Sequence, residues 1–141
     1  MGDERETVTA DHASSAVELV KQYLEACSGR RVQEAERCLA DGCELVFPWG
    51  RFRTLPELFA ETQARYRWAR KHYDTWDVVR HADGSVIVIV AGTLFGESLD
   101  GTPFADIRYI DRFVIRGLRI VQHQVWNDLA VSGVLAKKGS E

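Results

Sequence analysis

A chain of 141 residues, 45% of them apolar and 28% charged, has the balance of one compact globular domain. Its net charge of −3 excludes the strongly basic field of a nucleic-acid reader. No apolar run approaches the ~20 residues of a membrane-spanning helix.

Residues 1–13, within "MGDERETVTADHASS", are polar and lack the apolar core of a secretion signal. They read as a flexible tail ahead of a single domain, residues 14–136, with a second tail at 137–141. The three cysteines, Cys27, Cys38 and Cys43, have neither metal-type nor redox spacing. That pattern predicts reduced thiols in a cytoplasm, no metal and no cofactor.

Ser15 and Glu18 have the spacing of a capping box, and Val17, Val20, Tyr23, Leu24 and Cys27 follow at helical spacing. Gly29 ends that helix. A second, short helix is predicted through Val32, Ala35, Cys38 and Leu39. Asp41-Gly42 turns the chain into a short strand, residues 43–47, which Pro48 ends; "PWGRFR" reads as a loop. A second capping box, Thr54 and Glu57 with Pro56 in the first turn, opens a third helix whose face is Leu55, Leu58, Phe59, Thr62 and Tyr66. The basic stretch "RYRWARKH", residues 65–72, reads as the solvated end of this helix, where cations are favoured.

Beyond His72 the period changes to two. Strands are predicted at 73–81, 86–99, 103–116 and 119–130, joined by turns at 82–85, 100–102 and 117–118. Gly92 and Gly96 inside the second of these predict bulges or bends. His72 and His81 join no ligand-spaced cluster. Helices followed by strands give an α+β chain. A long, bent antiparallel sheet against three N-terminal helices would form a half-open cone, whose hollow suits a small molecule.

One strand poses a specific problem. In "IRYIDRFVI" one face carries Ile107, Tyr109, Asp111, Phe113 and Ile115. An apolar face with a carboxylate at its centre is costly unless that group is paired or used. Asp111 is then either a perturbed acid facing a ligand cavity or a structural carboxylate paired with an arginine or tyrosine of another element. In the last strand Val121, His123, Val125, Asn127 and Leu129 share a face, so His123 is either a general acid–base or a histidine satisfied by a neighbour such as Asp111. Phe47 and Trp49 flank Pro48, as pocket lining or as core, and Asp128 can fix the C-terminal turn. Ile110, Val114, Gln122, Gln124 and Trp126 lie on the opposite face of the sheet among arginines, a composition that fits a dimer interface.

Taken in order, "LVKQYLEA", "LADGCELVFPWGR", "IRYIDRFVIRGLRI" and "VWNDLA" resemble the nuclear transport factor 2-like superfamily, over residues 15–135. Within it the chain is most similar to ketosteroid isomerases and SnoaL-like polyketide cyclases. The resemblance implies a cone-shaped α+β roll, pairing through the outer sheet face and a small apolar ligand of polyketide, steroid or terpenoid type. It also implies an oxyanion pair: Tyr23, in "KQYLEA", and a protonated Asp111, in "YIDRF", a carboxylic acid kept neutral so that it can donate a hydrogen bond. The family's carboxylate base would fall at Phe47, in "LVFPWG", where this chain has none. His123 is the candidate replacement. Phe47, Trp49, Tyr109, Phe113, Val125 and Asn127 are the candidate substrate contacts. A binding or scaffold module using the same cone is the alternative to an isomerase or lyase.

Overall fold

A computed structural model describes residues 2–135, residues 2–12 by their backbone alone. The expected C-terminal tail, 137–141, lies outside the described residues. The elements are α1 (Gly2–Ser28), α2 (Val32–Glu36), β1 (Leu39–Phe47), β2 (Gly50–Phe52), α3 (Leu55–Gln63), β3 (Tyr66–Arg80), β4 (Val86–Ser98), β5 (Pro103–Arg116), β6 (Arg119–Asn127) and α4 (Leu129–Ser132). The six strands form one curled, unclosed sheet in the order β2-β1-β6-β5-β4-β3. The helices cover its inner face. No helix among the described residues is long and apolar enough to cross a membrane.

Alternation places the core as expected. Ile107, Tyr109, Asp111, Phe113 and Ile115 are all buried, while Arg108 and Ile110 between them are exposed. Ile107, Tyr109, Phe113 and Ile115 join Val20, Tyr23, Leu24 and Ala26 of α1 and Leu55 and Leu58 of α3 in one core. Thr54 caps α3 as predicted, accepting a hydrogen bond from the Glu57 N–H and donating its hydroxyl to the Glu57 carboxylate at 2.9 Å.

Four local expectations are corrected. Helix α1 begins well before Ser15, so Ser15 lies inside the helix and caps nothing. Leu39 belongs to β1, not to the second helix, and Asp41-Gly42 is an irregularity within that strand: its pairing with β6 shifts register between Leu39 and Glu44. The "PWGRFR" loop contains β2, which pairs back on β1. Most important, "RYRWARKH" is not a helix end. The third helix stops at Gln63, and Tyr66–Arg80 is a single long strand paired antiparallel with β4. Arginine, alanine and lysine favour helix locally. Here the ladder with β4 overrides that preference, as tertiary pairing commonly does.

The sheet is also mixed. β3 to β6 are the predicted antiparallel meander, but β1 runs parallel to β6. The helical crossover that follows β2 makes this possible, since a parallel pair needs a long connection. The bend comes where the glycines predicted it. Register shifts between Tyr73 and Thr75, opposite Gly92, and again between Leu94 and Gly96. A Cβ on Gly92 would lie 1.9 Å from the His72 carbonyl oxygen, so the close approach of β3 and β4 requires glycine there.

Candidate functional site

The bend and the helices enclose a cavity of about 110 Å³. α1 contributes Tyr23, Leu24 and Cys27 to its wall, α3 contributes Leu58, Phe59 and Thr62, and the sheet contributes Phe47, Tyr66, Lys71 and His123. A chain of polar groups runs from this wall into the core. The Tyr23 hydroxyl is 3.1 Å from His123 Nδ1, and His123 Nε2 is 3.0 Å from Asp111 Oδ2. The Lys71 ammonium reaches the same Asp111 oxygen at 3.1 Å. Asp111 Oδ1 is buried without a hydrogen-bond partner among the described residues.

These contacts fix the charges. Burial acts most strongly on Asp111 and pushes its pKa up, but the Lys71 cation and the His123 hydrogen bond outweigh it and hold the carboxyl below its ordinary 3.8. Asp111 is therefore ionised and can only accept. Burial pulls the His123 pKa below 6.5, against the opposing pull of Asp111, so the imidazole is neutral. A neutral ring with an ionised carboxylate at Nε2 must carry its proton there, which leaves Nδ1 as the acceptor for the Tyr23 hydroxyl. Burial raises the Tyr23 pKa well above 10, reinforced by Cys27, so the phenol keeps its proton. The Cys27 thiol is pushed up to about 12 by burial and is inert as a nucleophile near neutrality.

The predicted neutral, hydrogen-bond-donating Asp111 is thus corrected. The carboxylate is anionic, fully buried, and sits behind the cavity wall, with His123 and Lys71 between it and the hollow. Sequence reasoning missed Lys71 because its segment reads as helix. The signal present was the alternation of Ala69, Lys71 and Tyr73, which continues the inward face of β3.

The other candidates divide. Tyr23, Phe47 and His123 meet at the cavity; the rings of Phe47 and His123 lie 5.1 Å apart, edge to face. Phe113 is fully buried and stacks on His123 at 4.2 Å, fixing the plane of the imidazole. Trp49 packs against Phe47 and Tyr66 with the Arg65 guanidinium 5.2 Å from its ring; it supports the wall and does not line it. Tyr109, Val125 and Asn127 border a second, open groove, shared only at Phe47 with the first. The Asn127 side-chain oxygen accepts from the Leu129 N–H at 3.2 Å and so helps start α4. Asp128 pairs with Arg108 at 2.6 Å, tying the C-terminal turn to β5.

No family model matches the chain, and no curated protein matches it. Solved structures do. One of TerC, co-crystallised with polyporic acid, superposes with a TM-score of 0.72 at 16% identity, over 87% of this chain and 98% of that one. An NTF2-like protein of unknown function from Burkholderia pseudomallei K96243 gives 0.69 at 16% identity, over 86% and 96% of the two chains. A protein named as a SnoaL-like polyketide cyclase, from Jannaschia sp. CCS1, gives 0.66 at 14% identity, over 87% and 92%. The chain has the nuclear transport factor 2-like fold. NTF2-like proteins place helices over a curled sheet, and the cavity described above lies in that hollow.

Proposed function

We propose that this NTF2-like protein acts on a small, apolar, carbonyl-bearing molecule by moving a proton, as an isomerase, cyclase or lyase of SnoaL-like type. The observation that carries the reading is the Tyr23–His123–Asp111 chain, which begins at the cavity wall and ends on an ionised, buried carboxylate. Tyr23 gives its proton to His123 Nδ1 as its oxygen takes one from the carbon next to the ligand carbonyl. The C–H electron pair moves into the enolate. The imidazolium is stabilised by Asp111 and returns its proton to the Tyr23 oxygen as the phenol gives the proton it took to another atom of the ligand. His123 thus takes the place of the base that Phe47 cannot supply. Phe47 and the helix side chains keep water out, which strengthens each polar contact. That TerC has been crystallised with polyporic acid supports a small-molecule ligand in this fold.

The test is exchange of α-protons into D2O, followed by proton NMR on a panel of enolisable ketones. Exchange above the buffer rate is expected, with a loss of ~10²-fold or more in His123→Gln, the usual worth of a general base. Ligand binding without exchange would favour the second reading, a non-catalytic binding module. Phe47 at the family's base position speaks for that one.

The same proposal includes a dimer. Ile110 and Trp126 are register neighbours on the outer face and are 47% and 53% exposed, while Arg112, Gln122 and Gln124 form a hydrogen-bonded surround. An apolar centre within a polar rim is the composition of an interface. The three free cysteines suit a reducing, cytoplasmic setting.

A further inference from the structure

Among the described residues, the cavity wall carries two cations and no carboxylate. Lys71 and Arg30 line it, and no described Asp or Glu does. Asp111 offsets one of those charges from behind the wall, and the Lys71 side chain keeps 19% of its surface exposed. An ammonium has three N–H donors, and the contact with Asp111 uses one. The ammonium also lies 5.2 Å from the Tyr109 ring, and Lys71 is a residue of the cavity lining, so a donor not used by Asp111 can turn to a ligand there.

Arg30 is held at the cavity in an unusual way. Its backbone is left-handed, φ 56°, although Gly29 stands immediately before it. The end of α1 closes around it, with the Arg31 N–H on the Ala26 carbonyl at 2.8 Å and the Arg30 N–H on the Cys27 carbonyl at 3.1 Å. Its guanidinium donates to the Arg67 carbonyl at 2.8 Å, which anchors it at the start of β3. Much of the remaining lining is apolar or aromatic, including Leu24, Phe47, Phe59 and Tyr66.

We infer that the ligand is an anion: an apolar carbonyl compound that carries a carboxylate, with that carboxylate held by Lys71 and with Arg30 adding a second positive charge that favours the charged species at the wall. The inference rests on the small-molecule reading above and adds the charge class. It explains why the ion pair is built asymmetrically. Asp111 is sealed from the cavity and already matched, so it does not repel an incoming anion, whereas Lys71 faces it.

The test uses naphthalene-2-carboxylate and naphthalene-2-carboxamide, two probes of nearly equal shape that differ in charge, titrated into the full chain. The carboxylate is expected to bind at least ~10-fold more tightly, the worth of one charge-assisted hydrogen bond. Arg30→Gln should reduce that preference in part. The double variant Lys71→Met/Asp111→Asn removes both charges of the pair, strands neither, and should cut the preference to the part Arg30 supplies; adding Arg30→Gln to it should bring the ratio to about one. Equal binding of both probes by the unaltered protein, or an undiminished preference in the folded variant that lacks Lys71, Asp111 and Arg30 together, would overturn the inference and leave the small-molecule reading standing. Failure of both probes to bind at millimolar concentration would overturn the two together.

Discussion

Replacing Asp111 with asparagine isolates the charge of the central ion pair, because the side chain keeps its shape. The amide carbonyl so introduced would still accept from His123 Nε2, so the loss falls on Lys71. At 3.1 Å the pair attracts with about 5 kcal/mol at an effective dielectric of about 20, before desolvation. Breaking one half of a buried pair typically costs ~3–5 kcal/mol, since the other charge is stranded. Lys71 is still 19% exposed and can turn toward the cavity, which places the expected loss near 3 kcal/mol, at the lower end of that range. For a chain of 141 residues the unfolding entropy is about 0.3 kcal/mol/K, so the melting midpoint should fall by about 10 °C. The double variant Lys71→Met/Asp111→Asn should recover most of that loss, because nothing charged remains buried. The assay is a thermal melt of all four proteins of the cycle without ligand. A midpoint for Asp111→Asn within ~2 °C of the unaltered protein would refute the ion-pair account, and with it the assignment of Asp111 as an anion. A neutral, ligand-facing acid is the state that predicts such a small change.

Stability should fall with acid from neutrality downward. The folded protein holds His123 below its ordinary 6.5, so between 6.5 and the depressed value the unfolded chain binds a proton that the folded one refuses. The slope from this residue is at most about 1.4 kcal/mol per pH unit. Asp111 acts in the same direction below 3.8, its contribution being complete above that pH and lost as pH drops through the lower folded value. Urea midpoints from pH 4 to 8 check this, and His123→Gln should flatten the segment just below 6.5; an unchanged slope in that variant would contradict the neutral histidine. For the dimer, light scattering at micromolar concentration should give twice the 16.0 kDa chain mass, and Trp126→Glu should give the single chain. A monomeric unaltered protein would end that proposal.

Much of this architecture was legible locally, because periodicity and turn chemistry are local properties. The period-2 burial of residues 107–115, the Thr54 cap, the meander from β3 to β6 and the glycine bend at Gly92 all follow from spacing and from what a missing Cβ permits. That polar members of the packed helix and strand faces must meet was legible too, but the expected partner of Tyr23 was Asp111, whereas its hydroxyl meets His123, which alone passes the contact on to Asp111. The parallel pairing of β1 with β6 was not legible, as a strand's own pattern does not state its partner's direction. The strand identity of Tyr66–His72 was hidden by residues that favour helix in isolation. With it went Lys71, and with Lys71 the charge of Asp111. In register, Trp76 and not Lys71 stands across from Val90, the residue paired with Asp111. Only the curled sheet and a long lysine stem bring the ammonium to that carboxylate. A carboxyl's ionisation depends on what lies within a few ångströms of it, and that distance exists only once the sheet has bent.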